Sequence, residues 1–306
     1  MPSAKKSPKE PKHPPAEFQA FSDARGRPSI FVFVAESLGL KHVLLLRNAL
    51  GAQAFDEVDL VINCGGGSVH AAYQIIELLR LHAKRINACV PFYAKSAATL
   101  LCIGADSIVV DELAQLGPLD TQIFEEKKPG QGEYTSALNP FKTLEQLQKF
   151  SLETLDVAVK MISMRSGMSL NDCLTHGIEF VRATTGPLFT QLDPAKLGEY
   201  SRALSVGTEY GDRLLRRFKK WDNEQRAAVL EKLVHGYPSH DYIIDYHELQ
   251  EIGFDAILFE EEERAPVRAL YKYITGDETL IECVTPTLPV EAAPPGTSDE
   301  GTNDTA

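Results

Sequence analysis

Between Ser29 and Asp120 short apolar runs alternate with stretches of helical periodicity, and few folds tolerate that alternation. Ile30–Val34, Val58–Asn63, Ile86–Tyr93 and Ser107–Val110 read as buried strands. Leu40–Leu50 and Ala71–Ala83 carry helical spacing between them, and Ser96–Gly104 reads as a short apolar helix. In the second of these, Ala72, Ile75, Ile76, Leu79 and Ala83 make one apolar face. Strands that alternate with helices pair as parallel βαβ units with right-handed crossovers, so the expected class is α/β with a mostly parallel sheet.

The pattern changes after Pro140 and becomes mostly helical. Leu144, Leu147, Ser151, Leu155, Ala158 and Ile162 recur every three or four residues and predict a helix with one core stripe, ended by Gly167. Ser169–Leu174 reads as a short helix capped by Ser169, and Lys196–Lys220 and Glu224–His235 as further helices. The acidic run Glu260–Glu263 reads as a solvated face rather than a metal site. Residues 1–16, rich in Lys and Pro, and 285–306, acidic and without a basic residue, have too little apolar surface to offset ordering entropy. The expected organisation is a disordered tail over 1–16, a folded domain over 17–284 and an acidic disordered tail over 285–306.

Charge and cysteine usage narrow the partners. A formal net charge of −12 argues against a broad nucleic-acid surface, which needs clustered Lys and Arg. No apolar run approaches the roughly 18 residues that span a bilayer, and Met1–Pro15 has no apolar stretch of a secretory signal. Five cysteines, Cys64, Cys89, Cys102, Cys173 and Cys283, form no CxxC pair. They read as free thiols in a reducing, cytoplasmic compartment, with no metal centre implied.

The chemistry lies between Leu60 and Gln122. A strand runs into Gly65-Gly66-Gly67 and a helix follows. Glycines let the backbone turn sharply and present its N–H groups, which can receive an anion or an oxyanion. The spacing is neither GxxxxGK[ST] nor GxGxxG, which excludes a P-loop and disfavours a dinucleotide site. A later strand feeds Ala94-Lys95-Ser96-Ala97-Ala98-Thr99, a serine among small residues at a helix start. Small neighbours admit a substrate, and the helix N-terminus favours the negative charge of acyl transfer. Alone, Ser96 reads as a helix cap; the glycine turn and the serine turn in this order are more specific.

Four segments resemble the Clp-fold serine peptidases of the ClpP/crotonase superfamily, and within them the SDH (serine dehydrogenase) proteinases related to signal peptide peptidase A. They are Ile62-Asn63-Cys64-Gly65-Gly66-Gly67, Tyr93-Ala94-Lys95-Ser96-Ala97-Ala98-Thr99, Gly104-Ala105-Asp106-Ser107-Ile108-Val109 and Leu116-Gly117-Pro118-Leu119-Asp120-Thr121-Gln122. The resemblance covers roughly residues 29–125 and returns weakly at Tyr237–Tyr242. It implies a ClpP/crotonase-like core, Ser96 as nucleophile, the N–H groups of Gly67 and Ala97 as an oxyanion hole, a peptide or protein substrate, no cofactor, and assembly of copies through the later helices. The sequence departs from the family at Cys64-Gly65, at Ala97-Ala98 and at Thr121, and none of these removes the hydroxyl or the glycines.

The base is less defined. No histidine lies between Leu119 and Ile123, where a ClpP-type enzyme would place one. A signal-peptide-peptidase-like lysine on a later helix would be Lys149, with Lys142 two helical turns before it. Such a lysine must be neutral, which requires its pKa to fall by about three units, roughly 4 kcal/mol. Lys149 also lies opposite the apolar stripe, with Glu145 and Glu153 placed as the ion-pair partners of a surface lysine. His240 beside Asp241 is a further option, and His70, just after the glycine turn, either lines the site or only opens its helix. Two other functions stay open. A crotonase-type acyl-CoA enzyme would use the same oxyanion hole, although no basic cluster near the glycines would bind CoA phosphates. A binding scaffold would keep the fold without the chemistry.

Overall fold

Ile30, Val32 and Val34 face one side of a sheet and Phe31 and Phe33 the other, so every residue of β1 (Ser29–Val34) is buried. The computed structural model describes residues 14–119, 122–128, 131–274, 276 and 278–287. The segments 1–13 and 288–306, to which most of both tails was assigned, and Asp120 and Thr121 lie outside the described residues.

Ahead of β1 stands α1 (Ala16–Arg25). Then follow α2 (Leu40–Leu50), β2 (Phe55–Cys64), α3 (Val69–His82) and β3 (Ala83–Val90). Next come β4 (Tyr93–Ala94), a 3-10 turn at Ser96–Ala98, α4 (Thr99–Ile103), β5 (Ser107–Val110) and β6 (Gln115–Leu116). A hairpin of β7 (Gln122–Lys128) and β8 (Gln131–Ser136) leads to α5 (Asn139–Ser166), α6 (Leu170–Phe189) and α7 (Pro194–Leu214). A π turn at Leu215–Lys219 precedes α8 (Asn223–His235) and α9 (Tyr246–Glu251). The described chain closes with β9 (Ala256–Leu258), α10 (Glu261–Ala269) and β10 (Leu280–Val284).

The main sheet has the order β10-β1-β2-β3-β5-β9, and β4 and β6 branch from it. β1, β2, β3, β5 and β9 are parallel, while β10 is antiparallel at the edge. The α/β class with a parallel core and a helical C-terminal part is therefore correct. Parallel strands need both faces covered. Side chains of α2, α3, α4, α7 and α8 cover one face, over Ile30, Leu60, Ile62, Ile86, Ala88 and Ile108. α1 and α10 cover the other, where Phe18 stacks on Phe31 with centroids 3.9 Å apart.

One row across this sheet is polar. Ser29, Asp59, Asn87 and Ser107 stand in register on β1, β2, β3 and β5, and all are buried. Asn87 donates to Asp59 (2.9 Å) and accepts from Ser107 (2.7 Å). Arg25, at the end of α1, pairs with Asp59 (2.5 Å) and with Glu263 of α10 (2.6 Å). Bonds within the row and to Arg25, Arg27 and Glu57 satisfy these buried groups, and Arg25 ties both covering helices to the sheet. Glu260, Glu261 and Glu262 are exposed as expected, and Glu263 alone departs from the solvated reading: it is buried, and it also accepts from the Glu260 N–H (2.9 Å) to cap α10.

Three further expectations are corrected. The third strand ends at Val90, and Tyr93–Ala94 is a separate strand paired with β2 and β6. The Ser96–Gly104 helix is a 3-10 turn followed by α4. The helix after Ser169 does not stop at Leu174 but runs to Phe189, with the Ser169 cap in place. Here Gly177 sits where a Cβ would lie 2.7 Å from Val159, so α6 packs closely on α5 in a hairpin.

Candidate active site

The glycine turn is built by close approach. Gly66 and Gly67 have φ values of 112° and 137°, a region closed to most L side chains. A Cβ on Gly67 would lie 2.4 Å from the backbone nitrogen of Leu38. Leu38 bridges this turn: its N–H donates to the Gly66 carbonyl (2.8 Å), and its own carbonyl accepts from the Ser68 N–H (2.8 Å). The Gly67 N–H takes neither bond of the bridge. Ser68 then caps α3 by accepting from the Ala71 N–H (3.3 Å).

The serine turn lies against the glycines. Lys95 N–H donates to the Cys64 carbonyl (3.0 Å), joining the end of β4 to the end of β2. Ser96 has φ 51°, a left-handed conformation that costs about 1 kcal/mol or more for a residue with a side chain. A Cβ placed on Gly66 would lie 2.8 Å from the Ser96 Cβ and 3.3 Å from its Oγ, so the hydroxyl stands directly over that glycine. Thr99 Oγ1–H is shared between the carbonyls of Gly117 (2.8 Å) and Ala94 (3.1 Å), which ties the two segments together at this turn. Gly117 in turn must lack a side chain, because a Cβ would meet Lys95 Cδ at 2.8 Å and the Ser96 nitrogen at 3.2 Å. The Ala97 N–H lies in the first turn of a helix, where no intrahelical acceptor exists. A strained serine at a strand-to-helix turn, set against a glycine turn, is an arrangement of the kind that acyl transfer uses.

A cleft of about 550 Å³ opens over these residues. Glu36, Ser37 and Leu38 form one wall, Gly65–His70 and Ser96 the floor, and Ala203 and Val206 of α7 the opposite wall. Cys64, beneath the floor, accepts from the Gly66 N–H through its sulfur (3.4 Å), and burial pushes its thiol up to about 11. It is therefore a packing element rather than a competing nucleophile.

The bases named from sequence are distributed over three places. Lys149 stands exposed on α5 and does not line the cleft. Glu145 pairs with Lys142 at 3.6 Å. Lys142 and His240 come together in a small recess beside Pro118, adjoining the Gly117 segment but outside the Ser96 cleft. Lys95 is half-buried, and burial lowers its pKa while Asp241 opposes the shift. Its Nζ donates to the Tyr242 carbonyl (3.3 Å). His70 does line the Ser96 cleft. Sequence reading missed the wall from α7, because no local signal connects Ala203 or Val206 to Ser96. Among the described residues no group of three or more His, Cys, Asp or Glu gathers as a metal site.

Two uncharacterized proteins of Methanocaldococcus jannaschii are similar. MJ0137 is 28% identical over 244 residues, covering 78% of this chain and 66% of its own length. MJ1495 is 26% identical over 201 residues, covering 65% and 51%. The chain thus spans just under two thirds of the one relative's length and about half of the other's. Residues 42–169, which hold the glycine turn and the serine turn, match the family model of ClpP-like SDH-type serine proteinases.

Proposed function

We propose that the protein is a serine peptidase that hydrolyses peptide bonds through an acyl-enzyme on Ser96. The observation that carries this reading is the strained Ser96 turn (φ 51°), seated over Gly66 and opening into the cleft. The Ser96 Oγ attacks the scissile carbonyl, and the N–H groups of Gly67 and Ala97 receive the oxygen as it gains charge. Removing one such donor costs about 10²–10³ in rate in enzymes of this type. The amine leaves, and water then releases the acyl group from Ser96. The resemblance to signal peptide peptidase A supplies Lys149 as the base.

The wider setting belongs to the same reading. Cys64, Cys89, Cys102 and Cys173 are free and buried, which fits a reducing, cytoplasmic compartment. No described helix is long and apolar enough to cross a membrane. The exposed apolar residues of α5 and α6 fit a contact between copies of the chain. No cofactor enters the chemistry.

Labelling with a fluorophosphonate tests the central claim. Wild-type protein takes up the probe on Ser96, and Ser96→Ala does not. A wild type that stays unlabelled at every pH from mildly acidic to alkaline overturns the reading.

A further inference from the structure

Resting on the peptidase reading, we infer that His42 is a positioning residue of the Ser96 site: its imidazole pins the Leu38–Gly39 peptide unit, and through Leu38 it sets the direction of the Gly67 N–H. His42 is buried in the first turn of α2 and does not line the cleft. Its Nδ1 accepts from the Gly39 N–H at 2.9 Å. This is the third position of the helix, where a Glu or Gln side chain ordinarily reaches back to the N–H of the capping residue. A backbone N–H can only donate, so Nδ1 carries the lone pair and the ring proton sits on Nε2. Nε2 has no hydrogen-bond partner among the described residues, which leaves the bond at Nδ1 as the polar anchor of the ring. Burial first, and Lys41 second, hold the pKa below its ordinary value of 6.5, so the ring is neutral at neutral pH and keeps that lone pair for Gly39.

Peptide geometry carries the anchor to the glycine turn. In a planar trans peptide unit the N–H points opposite to the C=O, so holding one end aims the other. The Leu38–Gly39 unit is held at both ends: its N–H by His42, its carbonyl by the Ser68 N–H (2.8 Å). The Leu38 N–H in turn holds the Gly66 carbonyl (2.8 Å), and that carbonyl shares one peptide unit with the Gly67 N–H. The Gly67 N–H is therefore aimed by Leu38, from the far end of its own unit. Gly39 cannot supply this rigidity by itself. It is extended, with φ −155° and ψ −179°, and without a side chain its torsions are soft. Glu36, Ser37 and Leu38 also form one wall of the cleft, so a single side chain steadies both the wall and the donor.

The neighbouring contacts do not replace this one. Lys41 pairs with Glu36 at 3.3 Å, but both side chains are exposed, and such a pair holds a segment weakly. The Gly39 carbonyl accepts from the His42 N–H (2.9 Å), which fixes the next peptide unit, Gly39–Leu40, and not that of Leu38. Leu46 and Leu50 fasten the rest of α2 in the core. The helix thus has its own apolar anchors, and the imidazole is the link from it to the bridge.

The test is the rate of fluorophosphonate labelling of the full chain, read as adduct on Ser96, together with amide exchange over residues 36–40 and 66–69. His42→Leu keeps much of the bulk and removes the acceptor. It should slow labelling by about 10–10²-fold, because a donor is misaimed rather than deleted, and should speed exchange in both segments. His42→Gln puts an acceptor back at the same helix position and should label within about threefold of wild type. Leu46→Ala weakens the same helix in the core and should label at the wild-type rate while the protein stays folded. If His42→Leu folds poorly, His42→Met takes its place. A folded His42→Leu that labels at the wild-type rate overturns the inference, and so does slowed labelling with unchanged exchange in both segments. A His42→Gln as slow as His42→Leu, or a Leu46→Ala slowed as much, overturns it too. Each of these leaves the peptidase reading standing, because the wild type still labels on Ser96. A wild type that takes no label overturns the peptidase reading, and the inference falls with it.

Discussion

β1 and α5 are both apolar on one periodicity, yet they meet opposite fates. All six residues of β1 are buried, whereas the 28 residues of α5 include none that is fully buried. The difference lies in the number of neighbours. β1 has β10 and β2 beside it and helices on both faces. The described contacts along the length of α5 are chiefly with α6, so its stripe of Leu144, Leu147, Leu155 and Ile162 is only half covered. Two helices alone bury the facing seam and leave the flanks in water. Leu152 is 68% exposed and Met164 83%. The Ser96 turn belongs to the first kind of environment, and its strain is held by the packing around it. The hairpin belongs to the second, and its apolar surface is available to something outside the chain.

The contrast can be broken first at the polar row. Asp59→Ala leaves Arg25 buried with half of its partners, and should cost about 3–5 kcal/mol in denaturant unfolding. A cost under about 1 kcal/mol would mean the row does not tie α1 and α10 to the sheet. Gly67→Ala comes next. The new Cβ would lie 2.4 Å from Leu38 N at a φ of 137°, so about 3 kcal/mol should be lost together with Ser96 labelling. Retention of both would show that the bridge to Leu38 can yield.

Gly177→Ala acts only on the hairpin. Its Cβ would meet Val159 at 2.7 Å, an overpacking worth about 1–3 kcal/mol. Amide exchange should rise in α5 and α6 while Ser96 labels as before; faster exchange throughout β2 and β3 would show that hairpin and core unfold as one unit. Leu152→Glu should change unfolding by less than about 0.5 kcal/mol, since the side chain is already wet. Sedimentation velocity gives the sharper readout: a lighter species than wild type identifies this face as a contact between copies, and an unchanged profile removes it.

The smallest effect is a pH dependence at the edge of the core. Lys272 and then Tyr273 hold the Glu17 carboxyl down at about 2, from an ordinary value of 4.5, and so fasten α1. A carboxylate with a lowered folded pKa contributes stability that is present above pH 4.5 and lost as the pH falls toward 2. Glu17→Gln should flatten the unfolding profile across that window; an unchanged slope would show that the pair gives nothing in solution.

Much of the core was legible because its signals are local. The limits of α2 and β5 were read directly from periodicity, and β2 and α3 within a few residues. The glycines after β2 are there because backbone passes within contact distance of them, and glycine records such a demand in the sequence itself. The break between β3 and β4 was not legible, because Pro91 and Phe92 sit inside an otherwise continuous apolar run. Nor was the role of Glu263, since a charged residue in an acidic run looks solvated until Arg25 is seen beside it.

The amino-acid sequence determined the alternating elements, the two special turns and the serine, because propensity, periodicity and glycine chemistry act within a few residues of one another. Only the tertiary structure decided what stands over that serine. Ala203 and Val206 are more than a hundred positions from Ser96, and α7 reaches the cleft by packing on α3. It also decided that the α5 stripe would remain half open. Periodicity says which face of a helix is apolar, but burial depends on how many other elements reach that face, and that is a property of the whole fold.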